Sequence, residues 1–125
     1  MSLTVHAMVV DADGTWRIVD PPDDPYESAG FESWRTRVWG SQAVRSLGAV
    51  FFPLLAEDDL VVRPDQLPAF HRECLLLRER LEEIVAGTEP VRSVEEHRWA
   101  IADRLRIIDE VVLRARAMGG GIVIW

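Results

Sequence analysis

The chain has 125 residues, 48% hydrophobic and 28% charged, enough to close one hydrophobic core and too few for two, so residues 1–125 read as a single domain. All fourteen basic residues are arginines, which excludes Schiff-base, lysine general-base and P-loop chemistry. Net charge is −7, of which −5 falls in residues 1–30, a distribution that speaks against nucleic acid as a partner.

Residues 3–10 alternate in a β-rich stretch, and Asp13-Gly14 precedes a second short run, Trp16, Arg17, Ile18 and Val19. An Asp-Gly pair between two such runs signals a tight hairpin. With Asp13-Gly14 as a two-residue turn, Val9 pairs with Ile18 and Asp11 with Trp16. Leu3, Val5, Ala7, Val9, Trp16 and Ile18 then share the core face, and Thr4, His6, Met8, Val10, Arg17 and Val19 the other, half-polar face. The run Pro21-Pro22-Asp23-Asp24-Pro25 continues neither a strand nor a helix and reads as a stiff, exposed loop. A short helix is expected next, with Phe31, Trp34 and Val38 at helical spacing and Gly40 at its end. Residues 41–47 add another turn or two, residues 48–55 are buried without a local signal for their form, and Leu60-Val61-Val62 suits a short edge strand.

Two long helices give the clearest pattern. Between residues 64 and 85, Leu67, Phe70, Cys74, Leu77, Leu81 and Ile84 alternate spacings of three and four, and Gly87 closes the run. Ser93, with Glu96 three residues later, matches a capping box for a second helix whose stripe is Ile101, Leu105, Ile108, Val112 and Ala115. Gly119 suits its C-cap. The short connection makes the pair an antiparallel hairpin, and residues 122–125 read as a last strand joining the N-terminal hairpin. The expected fold is α+β: a small antiparallel sheet, built from the N-terminal β-hairpin and the C-terminal strand, packed on a long α-hairpin with short intervening helices.

Asp11-Ala12-Asp13-Gly14-Thr15, following the apolar residues 7–10, resembles the first motif of haloacid-dehalogenase-type phosphatases. The resemblance covers five residues and implies Asp11 as nucleophile, Asp13 as general acid, Mg²⁺ between them, and a parallel sheet with crossover helices. The same five residues suit a hairpin turn, and the run that follows looks like its returning arm. His71 and Cys74 are three apart on the first helix, but His97 sits ~18 Å along the hairpin from His71, too far for one shared metal. Gly119-Gly120-Gly121 follows a helix and precedes a strand, so it reads as a helix stop rather than a phosphate cradle. No metal or cofactor set emerges, and the single cysteine, Cys74, leaves neither a disulfide nor a paired-thiol site.

On an α-helix Trp34 and Trp39 stand ~140° apart. Trp39 is therefore expected to be partly exposed and Trp34 buried, with Arg35 placed to stack on Trp39, residue types frequent at interface hot spots. The competing reading puts both indoles in the core. Trp99 and Leu113 lie opposite the main stripe of their helix; they either pack under residues 48–55 or, if exposed, mark a homodimer or partner contact.

These features favour a small acidic non-enzymatic protein-binding module, of the inhibitor or toxin-immunity kind. Its expected partner is another protein with a basic surface, not nucleic acid and not a membrane. The binding residues assigned to it are Asp20, Asp23, Asp24, Glu27, Trp34, Arg35 and Trp39. The alternatives are a phosphoryl hydrolase using Asp11 and Asp13, and a subunit that self-associates through its helix hairpin. A cytoplasmic location is expected, because no basic start precedes the first apolar run and the longest uncharged run, residues 46–56, is interrupted by Pro53.

Overall fold

In the computed structural model, which describes residues 2–19 and 28–125, an antiparallel sheet lies against a helical layer. The strands are β1 (Ser2–Val10), β2 (Trp16–Val19), β3 (Ser28–Phe31), β4 (Leu60–Val62) and β5 (Gly121–Ile124). The α-helices are α1 (Gln42–Ser46), α2 (Leu67–Glu79), α3 (Leu81–Gly87) and α4 (Val94–Ala117), joined by a π-helical turn over Arg35–Trp39 and a 3₁₀ helix over Phe52–Ala56. The strand order is β2-β1-β5-β4, and β3 shares with β2 the same edge of β1. This is the α+β architecture the sequence pattern leads to, with β5 paired on β1 and β4 as the edge strand.

The hairpin differs in one respect. Gly14 N–H bonds Asp11 O (2.9 Å), Asp11 N–H bonds Thr15 O (2.8 Å), and Gly14 takes φ +86°. The loop is therefore Ala12-Asp13-Gly14, a tight turn followed by a left-handed glycine, and not a two-residue turn. Pairing shifts by one residue: Val10 faces Trp16, Val9 faces Arg17 and Met8 faces Ile18. Because side chains alternate, Trp16 and Ile18 move off the core face and Arg17 moves off the other. Leu3, Val5 and Ala7 still pack inward, against α4. The outer face carries Met8 and Val10 of β1, Trp16 and Ile18 of β2, Val61 of β4 and Val123 of β5.

Helix α4 begins where its capping sequence places it: the Ser93 hydroxyl accepts from Glu96 N–H at 3.1 Å, and Gly119 ends it with φ +66°. Its stripe, Ile101, Leu105, Ile108, Val112 and Ala115, is fully buried. The preceding helix is not continuous. Arg80, at φ −102° and ψ 27°, separates α2 from α3, with neither proline nor glycine at the break.

Both Trp34 (5% exposed) and Trp39 (0%) belong to the core, which corrects the expectation that Trp39 stays partly exposed. The cause is the π-helical turn. Its i→i+5 hydrogen-bond pattern brings residues five apart nearly over one another, where an α-helix would splay them. The two indoles meet edge to face at 5.5 Å, and Trp39 Nε1–H bonds Ala29 O at 2.8 Å. The aromatic contact continues from Trp39 to Phe52 at 4.8 Å and from Phe52 to Phe70 at 5.2 Å.

Residues 48–55, silent in sequence, are organised by one distant side chain. The buried Glu73 carboxylate of α2 accepts from Val50 N–H (2.6 Å), Phe51 N–H (3.0 Å) and Phe52 N–H (2.9 Å). These successive amides form a concavity for an anion, and the protein supplies its own. Charge-assisted bonds of this kind contribute about 1.5–3 kcal/mol each, and unmaking them leaves buried donors unsatisfied. Glu73→Gln should therefore lower the unfolding free energy in urea by about 2–4 kcal/mol, whereas Glu79→Gln, at an exposed position of the same helix, should change it by less than about 0.5.

Candidate functional site

A groove of about 990 Å³ opens between the end of β3 and the N-terminal half of α4. Trp34 forms part of its wall, with Phe31 standing edge-on to it at 5.8 Å and half exposed. Gly30 makes this packing possible: at φ +115°, a Cβ there would lie 2.3 Å from the Trp34 ring. Across the groove, Trp99 is 66% exposed and Val91 84%. The rim carries Glu95 and Glu96, in the first turn of α4, together with Glu32, Arg92 and Arg104. Arg104 pairs with Asp103 at 3.0 Å and Glu32 with Arg35, and Glu95 and Glu96 are exposed, with Arg98 close enough to Glu95 to feel its charge. This size and aromatic lining, with a few charged side chains that include the largely buried Arg104, is the form of a binding cleft.

Beneath the groove His97 is buried. Its Nε2 lies 2.7 Å from Thr88 Oγ1, and that hydroxyl donates to Ile84 O at 2.6 Å. The hydroxyl's one proton being used, His97 Nε2–H is the donor to Thr88. Burial holds the imidazole pKa below its ordinary 6.5.

The residues assigned from sequence are not brought together. Trp34 lines the groove, but Trp39 does not reach it. Arg35 does not stack on Trp39: it donates to Leu55 O (3.3 Å), Asp58 O (2.9 Å) and Asp59 Oδ1 (2.7 Å), closing the far end of the 3₁₀ helix. Asp20, Asp23, Asp24 and Glu27 lie outside the described residues. Trp99 and Leu113 do not pack under residues 48–55; both are exposed, and only Trp99 borders the groove. Phe31, expected on a short helix with Trp34 and Val38, instead ends strand β3, and Val91 carried no signal in sequence; the value of both comes from an approach of β3 to α4 that no local pattern encodes.

The remaining chemical candidates have structural employment. Asp13 Oδ1 accepts from Thr15 N–H at 3.0 Å, which lowers the carboxyl pKa, and Asp11 pairs with Arg17 at 3.4 Å. The loop that resembles a phosphatase motif leads into an antiparallel strand, not into the crossover helix of a parallel sheet. His71 bridges α2 and α4: Nε2 lies 3.0 Å from Asp109 Oδ1, and Nδ1 accepts from Arg116 Nη1 at 3.0 Å. Arg78 Nη1 completes the network on Asp109 Oδ2 at 3.0 Å. Cys74 is fully buried, and burial, with the nearby Asp109 and Glu73 charges, pushes its thiol well above its ordinary range, unsuited to nucleophilic attack. Among the described residues, no group of three or more His, Cys, Asp or Glu side chains is placed to hold a metal ion.

No family model matches the chain, and no curated protein or solved structure is significantly similar to it.

The buried His97 gives a pH test. Because its folded pKa is depressed, its contribution to stability is full above ~6.5 and is lost as pH falls from there toward the folded value. Between about pH 7.5 and about pH 5.5 the wild type should lose more stability in urea than His97→Gln does.

Proposed function

We propose that this chain is a non-catalytic protein-binding module, of the inhibitor or immunity kind, whose groove receives an apolar and basic segment of another protein. The observation that carries this reading is Trp99, an indole 66% exposed on a well-anchored helix beside a groove of about 990 Å³. A large aromatic held in water on a rigid element is the anchor type that dominates interface energetics. Phe31 offers a second ring across the groove, so a segment lying there meets aromatic surface on both sides.

The charge distribution supports a basic partner. Glu95 and Glu96 stand exposed at the rim, and the chain carries −7 overall. Asp20, Asp23, Asp24 and Glu27 precede Phe31 closely in the chain, in a stretch, residues 1–30, whose net charge is −5. By contrast, Glu82 and Glu83 are paired with Arg98 and Arg80. Uncancelled charge mainly raises the association rate, and salt weakens that effect.

The test is capture of partners from the native host by the wild type, followed by binding kinetics with each captured protein. Trp99→Ala should leave stability within about 0.5 kcal/mol and speed dissociation by about thirtyfold or more. Asp23→Arg with Asp24→Arg should slow association at low salt, while Glu79→Arg with Glu83→Arg should do much less. Unchanged kinetics in Trp99→Ala would remove the groove as the binding site.

A further inference from the structure

One stripe of α4 runs along the groove. His97, Ala100 and Arg104, at i, i+3 and i+7, all line it, with the small Ala100 side chain between the two larger ones. Arg104 is engaged on one side only. Its Nη1 bonds Asp103 Oδ2 at 3.0 Å, while its Nε is sealed from water and has no hydrogen-bond partner. Asp103 does not belong to Arg104 alone, since its Oδ1 accepts from Arg106 Nη2 at 2.7 Å. The Nε–Nη2 edge of Arg104, the side of a guanidinium that takes a planar anion through two parallel bonds, is therefore without a protein acceptor among the described residues. Toward the start of α4, ~12 Å along the axis from Arg104, the exposed Glu95 and Glu96 line the same groove with Arg92 beside them.

We propose that the segment entering the groove is the C-terminal tail of the partner protein, with its terminal carboxylate on the Nε–Nη2 edge of Arg104. The proposal rests on the reading of the groove as a protein-binding site. Three features select this occupant. The Arg104 edge is a two-donor fork, which matches both oxygens of a carboxylate and is only half used by a lone carbonyl oxygen. The walls are aromatic, Phe31 and Trp34 on one side and Trp99 across from them, so the last side chain of the tail is apolar and lies over Ala100. The acidic end of the groove sets the third. An extended chain rises ~3.3 Å per residue and covers the ~12 Å to Glu96 in three or four residues, so a lysine or arginine about three positions before the end meets Glu95 and Glu96.

The tail then runs in the same direction as α4, and the charges fix that direction. A chain entering backwards brings its carboxylate to Glu95 and Glu96 and its cation to Arg104, meeting like charge at both ends. The guanidinium is held only at Nη1, so a small turn about that bond brings the fork to the groove. An internal segment of a partner offers single carbonyls and has to continue past Arg104. A small organic acid satisfies Arg104 and leaves the acidic end unmet.

The test is titration of the isotope-labelled full chain with the synthetic peptide Ac-Lys-Gly-Gly-Leu to ~10 mM, as the free acid and as the C-terminal amide, followed by the indole N–H resonances of Trp34 and Trp99. The free acid should bind in the millimolar range and the amide about tenfold more weakly. Ac-Glu-Gly-Gly-Leu acid and N-acetylleucine should each bind at least about threefold more weakly than the lysine acid. In Arg104→Gln acid and amide should bind alike. In Glu95→Gln with Glu96→Gln the preference for lysine should go while the acid keeps its advantage over the amide. Should a variant fail to fold, the wild-type titrations decide. Equal binding of acid and amide would overturn the proposal and leave the groove to internal segments. N-acetylleucine binding as tightly as the lysine acid would overturn it in favour of a small organic acid. So would indoles that stay silent with both forms of the peptide, or an acid preference that survives in folded Arg104→Gln. The groove as a protein contact is decided separately, by the partner kinetics of Trp99→Ala.

Discussion

A single carboxylate governs the part of the molecule that lacks long regular elements. Glu73 gathers the amides of Val50, Phe51 and Phe52 and so sets the start of the 3₁₀ helix. No arginine pairs with it; the partial positive charge of aligned peptide N–H groups replaces a counter-ion. Once Phe52 is placed, its ring meets Phe70 on one side and Trp39 on the other, and Trp39 meets Trp34. Trp34 in turn walls the groove. Arg35 secures the opposite end of the same helix through Leu55 O and Asp58 O. A short element with little stability of its own is thereby clamped at both ends by side chains from elsewhere.

How legible each region was follows from how local its causes are. Helix α4 could be read because its cap, stripe and terminal glycine all lie within its own sequence. Strand β5 and its place beside β1 followed from a short apolar run after a helix stop. Residues 48–55 gave no local signal because their order derives from Glu73, more than twenty positions away. The burial of Trp39 was hidden for a related reason: a wheel drawn for an α-helix fails where the backbone takes a wider π turn. At the candidate site Trp99 stood out as an apolar residue off its stripe, whereas the groove beside it arises from tertiary approach alone.

The polar interior shows a consistent economy. Asp109, among the few buried acids, receives Arg78 and lies against His71, and those two side chains come from α2 while Asp109 belongs to α4. Ties between the helices thus run through one partly shielded cluster in addition to the apolar seam around Leu77, Leu105 and Ile108. Such a cluster favours one register of α2 on α4 over its neighbours, because sliding by a turn would strand a buried charge.

The hairpin loop carries a consequence out of proportion to its size. Its three residues, Ala12, Asp13 and Gly14, set an odd spacing between β1 and β2. With an even spacing Trp16 and Arg17 would trade faces, and Arg17, now 60% exposed beside Asp11, would stand with Met8 and Val10. Strand β2 is thus a message with two readings, polar outward or apolar outward, and the parity of a loop selects between them. A one-residue insertion or deletion at the tip, changing no strand residue, would exchange the surface by which the molecule meets its surroundings.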